Sequence, residues 1–248
     1  MTYLFTVSPD FAPDRLSGWY IFNTWLQKQT GNAIHLELYN SYHDLHDAIK
    51  QDSVDLIYAN PYDAATLVRE HGFLPLAKPS GLSDEVIIAV NANSPIDHIE
   101  RLEDDIRIAM TEDPDVRLIG KILLEPADVD QNRIRTIPSD SYILAAKHLL
   151  KNEADVGIFL AKAYDNFSSV VKSQLKILVR SQISIIHHSL MIGPRFQIQR
   201  DAIQHALTEM GNCEKGQGVL EGLGFSAWEL LDEETMEFMI DLMDTLHT

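Results

Sequence analysis

Short apolar runs and amphipathic helical stretches take turns along this chain, and they do so twice. That alternation constrains the fold more than any single residue, because strands separated by helical connections pair in a sheet covered by helices. The first series starts with a strand-like run, Tyr3–Val7, stopped by Ser8-Pro9-Asp10. Arg15–Gln29 carries Leu16, Trp19, Tyr20, Phe22 and Leu26 at helical spacing. Thr30-Gly31-Asn32 closes that helix, with glycine in the left-handed position. Ala33–Tyr39 alternates as a half-buried strand with Ile34, Leu36 and Leu38 on one face. Ser41 can cap a helix through Lys50, Val54–Ala59 is strand-like, Tyr62–Glu70 is helical, and Phe73–Ala77 closes the series as a strand.

The second series is similar in scale. Glu85–Asn91 (EVIIAVN) is a strong apolar strand, followed by a short helical segment, Ile99–Glu103. Ile106–Met110, Arg133–Ile137, Val156–Phe159 and Leu175–Val179 read as strands; Val116–Leu124, Asp140–Lys151 and Leu160–Phe167 read as helices. Ile183–Ile192 (ISIIHHSLMI) is too apolar for a linker and reads as a buried strand returning the chain to its first half. Two such crossing strands would form a hinge between two α/β units. The remainder is expected to be helical over Arg195–Met210, Gly216–Leu223 and Asp232–Leu246, with a turn at Phe225–Trp228. Met236, Met239, Ile240 and Met243 form one face of the last helix, which reads as core packing.

A length of 248 residues suffices for one large domain or two small ones. With 37 acidic against 20 basic residues, the formal net charge of −17 disfavours nucleic acid and anionic lipid at long range. No apolar stretch approaches the roughly 20 residues of a membrane span, so membrane insertion is not expected. The opening MTYLFTVSPD lacks the basic and long apolar regions of a secretory signal. The expected location is periplasmic if a signal has been removed and cytoplasmic otherwise. Cys213 is the only cysteine, which excludes an internal disulfide and a thiolate metal cluster.

The most informative corner is VDLIYANPYD, residues 54–63. Proline stops the strand at Asn60-Pro61 and suits the first turn of the helix that follows. Asn60, Pro61 and Tyr62 therefore stand at the carboxyl end of a strand and the amino end of a helix, where open α/β sheets bind ligands. Ser8, Thr111, Ser139 and Ser141 occupy comparable strand ends or helix starts. Each alone reads as a cap or turn residue; together they are the best polar lining for a small ligand.

The pieces VDLIYANPYDAATLVREHG, NANSPIDHIERLEDDIRIAM, KNEADVGIF and GVLEGLGFSAW, in that order, resemble the phosphate/phosphite/phosphonate-type substrate-binding proteins of ABC transporters. The resemblance implies a two-lobed α/β fold, the periplasmic-binding-protein fold of the second type. In it each lobe is a mainly parallel sheet flanked by helices, two strands cross between the lobes, and a ligand binds in the cleft. Lobe 1 would hold residues 1–88 and 188–248, and lobe 2 residues 89–187. Residue by residue, the family's aromatic after the second strand matches Tyr42, its Gly-Pro-Tyr corner matches Asn60-Pro61-Tyr62, and its strand aspartate matches Asp155. The sequence departs from the family elsewhere. The Ser/Thr-rich anion loop falls on Thr111-Glu112-Asp113-Pro114-Asp115-Val116-Arg117, where carboxylates would repel a phosphonate. The family's Gly-His-Asp turn falls on Pro138-Ser139-Asp140-Ser141 without its histidine, and the aromatic expected near Asp84-Glu85 is missing.

Asp113 and Asp115 at a helix start offset the helix dipole on the plain reading and bind a cation or an amine-bearing ligand on the sharper one. His43 and His46, with Asp44 and Asp47, have the spacing of a weak surface metal site; His187 and His188, adjacent on a strand, point to opposite faces and read as structural. Neither pair makes a convincing metal centre, and no cofactor is expected. Gly-rich phosphate loops, G-x-S-x-G elbows and H-E-x-x-H helices are absent from the sequence. The expected function is capture of a small polar ligand without chemistry, with an ABC permease or a sensor protein as possible partner. Alternatives are a cytoplasmic sensor or scaffold of the same fold, or an enzyme of this fold acting on a pyrimidine-type precursor.

Overall fold

A computed structural model of the chain describes residues 2–11 and 13–247; Met1, Ala12 and Thr248 lie outside the described residues. The chain divides into two compact units. Unit 1 comprises Met1–Leu82 and His187–Met243, and unit 2 comprises Ser83–Ile186 with Asp244–Thr248.

Unit 1 is a mixed six-stranded sheet. Its parallel centre is β1 (Thr2–Val7), flanked by β2 (Ala33–Leu36) and β3 (Leu56–Ala59). β10 (Ser189–Ile192) runs antiparallel between β3 and β4 (Leu74–Pro79), and β11 (Trp228–Leu230) adds to the free side of β4. Helices α1 (Leu16–Thr30), α2 (Tyr42–Lys50) and α3 (Pro61–Arg69) connect the early strands; α8 (Arg200–Glu209), α9 (Glu214–Leu223) and α10 (Glu233–His247) follow β10. Phe5, Trp19, Phe22, Tyr58, Phe225 and Trp228 build an aromatic centre, with Trp19 and Phe22 meeting edge to face at 5.9 Å. α1 and α9 approach closely at Gly18, where a Cβ would stand 2.3 Å from the carbonyl oxygen of Gly222.

Unit 2 repeats the plan. β6 (Arg107–Met110) pairs in parallel with β7 (Arg135–Pro138) and β8 (Val156–Leu160); β5 (Val86–Asn91) runs antiparallel between β8 and β9 (Leu175–Arg180). Its order, β7-β6-β8-β5-β9, matches β2-β1-β3-β10-β4 position for position. In each unit the strand that begins after the chain arrives from the other unit takes the slot beside the third parallel strand. α4 (Pro114–Leu124) and α5 (Tyr142–Leu150) are its longest helices, followed by α6 (Ala161–Asp165) and α7 (Ser169–Lys172).

The same anchor secures both parallel centres. Asp55, immediately before β3, accepts the Leu4 N–H at 2.9 Å and holds Arg195 through paired bonds of 2.8 and 2.7 Å. Asp155, before β8, accepts the Arg107 N–H at 2.9 Å and holds the Arg107 guanidinium at 3.0 and 2.7 Å. In both, the aspartate N–H donates back to the same strand residue's carbonyl at 2.9 Å. Each carboxylate thus fixes the register of two strands distant in sequence.

The structure departs from sequence expectation in three segments. Residues 183–188 are irregular rather than strand, because Ser184 turns left-handed at φ 61°. α8 begins at Arg200 rather than Arg195, after Gly193-Pro194 and a short 3-10 turn, Gln197–Gln199. The turn expected at Phe225–Trp228 leads into β11, an edge strand too short to announce itself by periodicity. The methionine face of α10 is core, with Met236, Met239 and Ile240 fully buried.

Asp55 is 1% exposed and Asp155 is 35% exposed at the side chain. Asp55→Ala is expected to cost about 2–3 kcal/mol, since it removes a buried carboxylate that joins two segments of the sheet. Asp155→Ala, whose own carboxylate reaches water, is expected to cost about 1 kcal/mol. Urea denaturation midpoints of the two variants check the order.

Candidate functional site

The carboxyl ends of the parallel strands form one edge of each sheet, and the polar corners collect there. In unit 1, Ser8 follows β1, Tyr42 opens α2 after β2, and Asn60–Tyr62 join β3 to α3. Ser8 donates its N–H to the Tyr58 carbonyl at 2.9 Å, and its hydroxyl accepts the Asn60 N–H at 3.0 Å. Asn60 is fully buried and caps α3, its Oδ1 accepting the Asp63 N–H at 2.8 Å; its Nδ2 is buried with no hydrogen-bond partner among the described residues. Pro61 takes the first helical position, as the sequence predicts. Tyr62 is 38% exposed at this edge.

Four further residues stand at the same edge: His46, weighed from sequence only as a weak metal ligand, His188, read as structural, and Asp63 and Asp10, which sequence reasoning missed. Asp63 is 4% exposed and its Oδ1 meets His46 Nε2 at 2.7 Å, joining the first turn of α3 to α2. The Tyr42 ring lies 6.2 Å from the His46 ring. His188, just before β10, meets Asp10 Oδ2 through Nε2 at 2.9 Å and stacks on Tyr58 at 5.3 Å. The Asn60-x-x-Asp63 spacing is a helix-start signal that pointed to Asp63. Nothing local could pair His188 with Asp10, 178 positions away.

In unit 2, Thr111 and Asp113 follow β6, while Ser139 and Ser141 follow β7. Ser141 caps α5, accepting the Leu144 N–H at 3.3 Å. Ser139 is buried and donates its N–H to the Met110 carbonyl at 2.9 Å. Asp113 stands at the cap position of α4 without capping it through its side chain. Its Oδ2 accepts the Tyr142 hydroxyl and lies 3.5 Å from the Thr111 hydroxyl. Asp113 and Asp115 are both buried. Burial first, and then the Asp113 charge, push the Tyr142 phenol well above its ordinary range, so Tyr142 stays a neutral donor. Both hydroxyls lie against the Asp113 carboxylate without adding charge of their own.

Asp155 is not at that edge. It lies at the opposite, amino end of β8, and its carboxylate is engaged by Arg107. The Arg107 hydrogen bonds lower its pKa more than burial raises it. Of the other histidines singled out, His43 pairs with Asp47 at 3.6 Å on the α2 surface, and His187 is buried against the Ser189 hydroxyl at 3.1 Å.

Residues 5–236 match the family model described as the ABC transporter, phosphonate, periplasmic substrate-binding protein. The chain belongs to that family. Solved structures agree at the level of fold. PhnD1 from Prochlorococcus marinus, in complex with methylphosphonate, superposes with a TM-score of 0.82 at 12% identity over 99% of this chain and 98% of that one. A binding protein component of an ABC phosphonate transporter from Pseudomonas aeruginosa gives 0.75 at 19% identity over 100% and 89%. The alkanesulfonate-binding protein SsuA from Xanthomonas axonopodis pv. citri, bound to MOPS, gives 0.65 at 13% identity over 99% and 93%. No curated protein matches the chain. Family and neighbours are substrate-binding proteins. Among the described residues no helix is long and apolar enough to cross a membrane.

The His46–Asp63 contact carries a pH signature. The hydrogen bond that His46 donates to the Asp63 carboxylate raises the His46 pKa, with burial and Lys50 opposing and the Asp63 and Asp47 charges adding. A raised folded-state pKa contributes stability that is complete below the unfolded value near 6.5 and is lost as pH rises through the folded value. Melting temperatures recorded from pH 5.5 to 8.5 should therefore show a decline above neutrality that His46→Gln removes.

Proposed function

We propose that this protein is a solute-binding protein that captures a small polar ligand without chemical conversion, delivering it to an ABC permease. The strand-end rim of each unit, taken by itself, offers polar groups that could line such a ligand. The observation that carries this reading is the buried corner at Ser8 and Asn60. An amide donor, Asn60 Nδ2, is held there without a partner among the described residues, beside the amino end of α3, at a strand end of the kind where ligands bind in open α/β sheets. Membership of a periplasmic family supports a periplasmic location. The acids at 113 and 115 oppose a bare oxyanion on the rim of unit 2 and favour a ligand that presents hydrogen-bond donors or an amine there.

Calorimetric titration and thermal-shift measurements test this with methylphosphonate, inorganic phosphate, methanesulfonate, amino acids and primary amines. A true ligand at one hundred times its Kd is expected to raise Tm by roughly 5–10 °C. Tyr62→Ala should weaken that ligand about tenfold, some 1.4 kcal/mol. A panel of this breadth that produced no shift would count against ligand capture. Turnover of any member would overturn the reading in favour of an enzyme.

A further inference from the structure

The chain passes from unit 1 to unit 2 between Leu82 and Ser83 and returns between Ile186 and His187. Within unit 2 the outgoing and returning segments are zipped together. Ser181 donates its N–H to the Val86 carbonyl at 2.9 Å, its hydroxyl accepts the Val86 N–H at 2.8 Å, and the Asp84 N–H reaches the Ile186 carbonyl at 2.7 Å. The loop between these rungs closes around one side chain. Glu85 Oε2 accepts the Ile183 N–H at 3.0 Å and the Ser181 hydroxyl; Oε1 accepts the Ser184 N–H at 2.7 Å and the Ser83 hydroxyl at 3.3 Å. Ser184 sits at φ 61°, a conformation costly for a residue with a Cβ, and its N–H is turned onto the carboxylate. Burial pushes the Glu85 carboxyl up, but bonds from Ser181, Ser184, Ile183 and Ser83 outweigh it and hold it below the ordinary range.

We propose that Glu85 is a latch that makes the outgoing and returning segments of unit 2 a single rigid piece, confining motion to the junctions Leu82–Ser83 and Ile186–His187. A carboxylate suits this task because its two oxygens accept four donors drawn from both segments. The loop it grips contains no repeating secondary structure of its own. Without the latch, the Ile183 and Ser184 amides would lose the acceptor that holds them, and the return path would behave as a flexible connector. The proposal is independent of the ligand's identity.

The full chain serves for the test, spin-labelled at exposed Cys213 in unit 1 and at a cysteine introduced in unit 2 by S169C. Amide exchange by NMR and double electron–electron resonance are compared between this protein and its E85Q variant. E85Q replaces one acceptor oxygen with a donor facing donors. The Ile183 and Ser184 amides are expected to exchange at least tenfold faster in E85Q, with β5 and β8 unchanged, and the interlabel distance distribution should broaden. Unchanged exchange at 183–184, or an unchanged distribution width, would overturn the latch. So would loss of protection throughout unit 2, which would make Glu85 a residue of the fold. If E85Q does not fold, Ser83→Ala, which removes one donor to Oε1 and leaves the amides, carries the same comparison with a smaller expected broadening.

Discussion

A carboxylate planted just before the third parallel strand is the interaction on which each unit depends. Asp55 and Asp155 both bridge to the strand that starts the unit's parallel centre, and both recruit an arginine. Parallel strands lack a tight turn to set their register, so something other than chain connectivity must set it. One side chain does so here by pairing with a backbone N–H across the ladder while its own N–H returns the bond. Once that end of the sheet is pinned, the carboxyl ends of the same strands come level, and the loops that follow them share an edge.

Anchoring and binding are thereby separated along the strands. The ion-paired aspartates occupy the amino ends, whereas Ser8, Asn60, Tyr62 and Asp63 in unit 1 and Thr111, Asp113 and Ser139 in unit 2 occupy the carboxyl ends. Helix starts are concentrated at the second edge, and their unpaired N–H groups must be met by side chains or ligands. Asn60 and Ser141 meet some of them as caps. The same residues that complete the helices therefore also shape the polar edge, so a cap and a ligand contact are not separate roles in this fold.

The two rims carry different chemistry on one plan. Unit 1 offers the Ser8–Asn60 corner, a His–Asp pair at His46–Asp63 and a second at His188–Asp10. Unit 2 offers the carboxylate of Asp113 against neutral hydroxyls. A shared fold with PhnD1 and SsuA, at identities of 12% and 13%, does not by itself carry a shared lining, because function is set by the site and not by the fold.

The sequence by itself determined the two β/α series, nearly every helix and strand, and the strand-end placement of Asn60, Tyr62, Thr111, Ser139 and Ser141. These follow from apolar periodicity, proline and capping residues, all of which act within a few positions. Tertiary structure alone decided the strand order that inserts β10 between β3 and β4, and β5 between β8 and β9, because that order depends on where the chain re-enters each sheet. It also decided that Asp155 is an anchor, that His188 meets Asp10, and that Glu85 grips the loop at 183–184. Each of these is a polar contact between residues 48 to 178 positions apart. Local propensity carries no information at that range; only the packed sheet brings donor and acceptor within hydrogen-bonding distance.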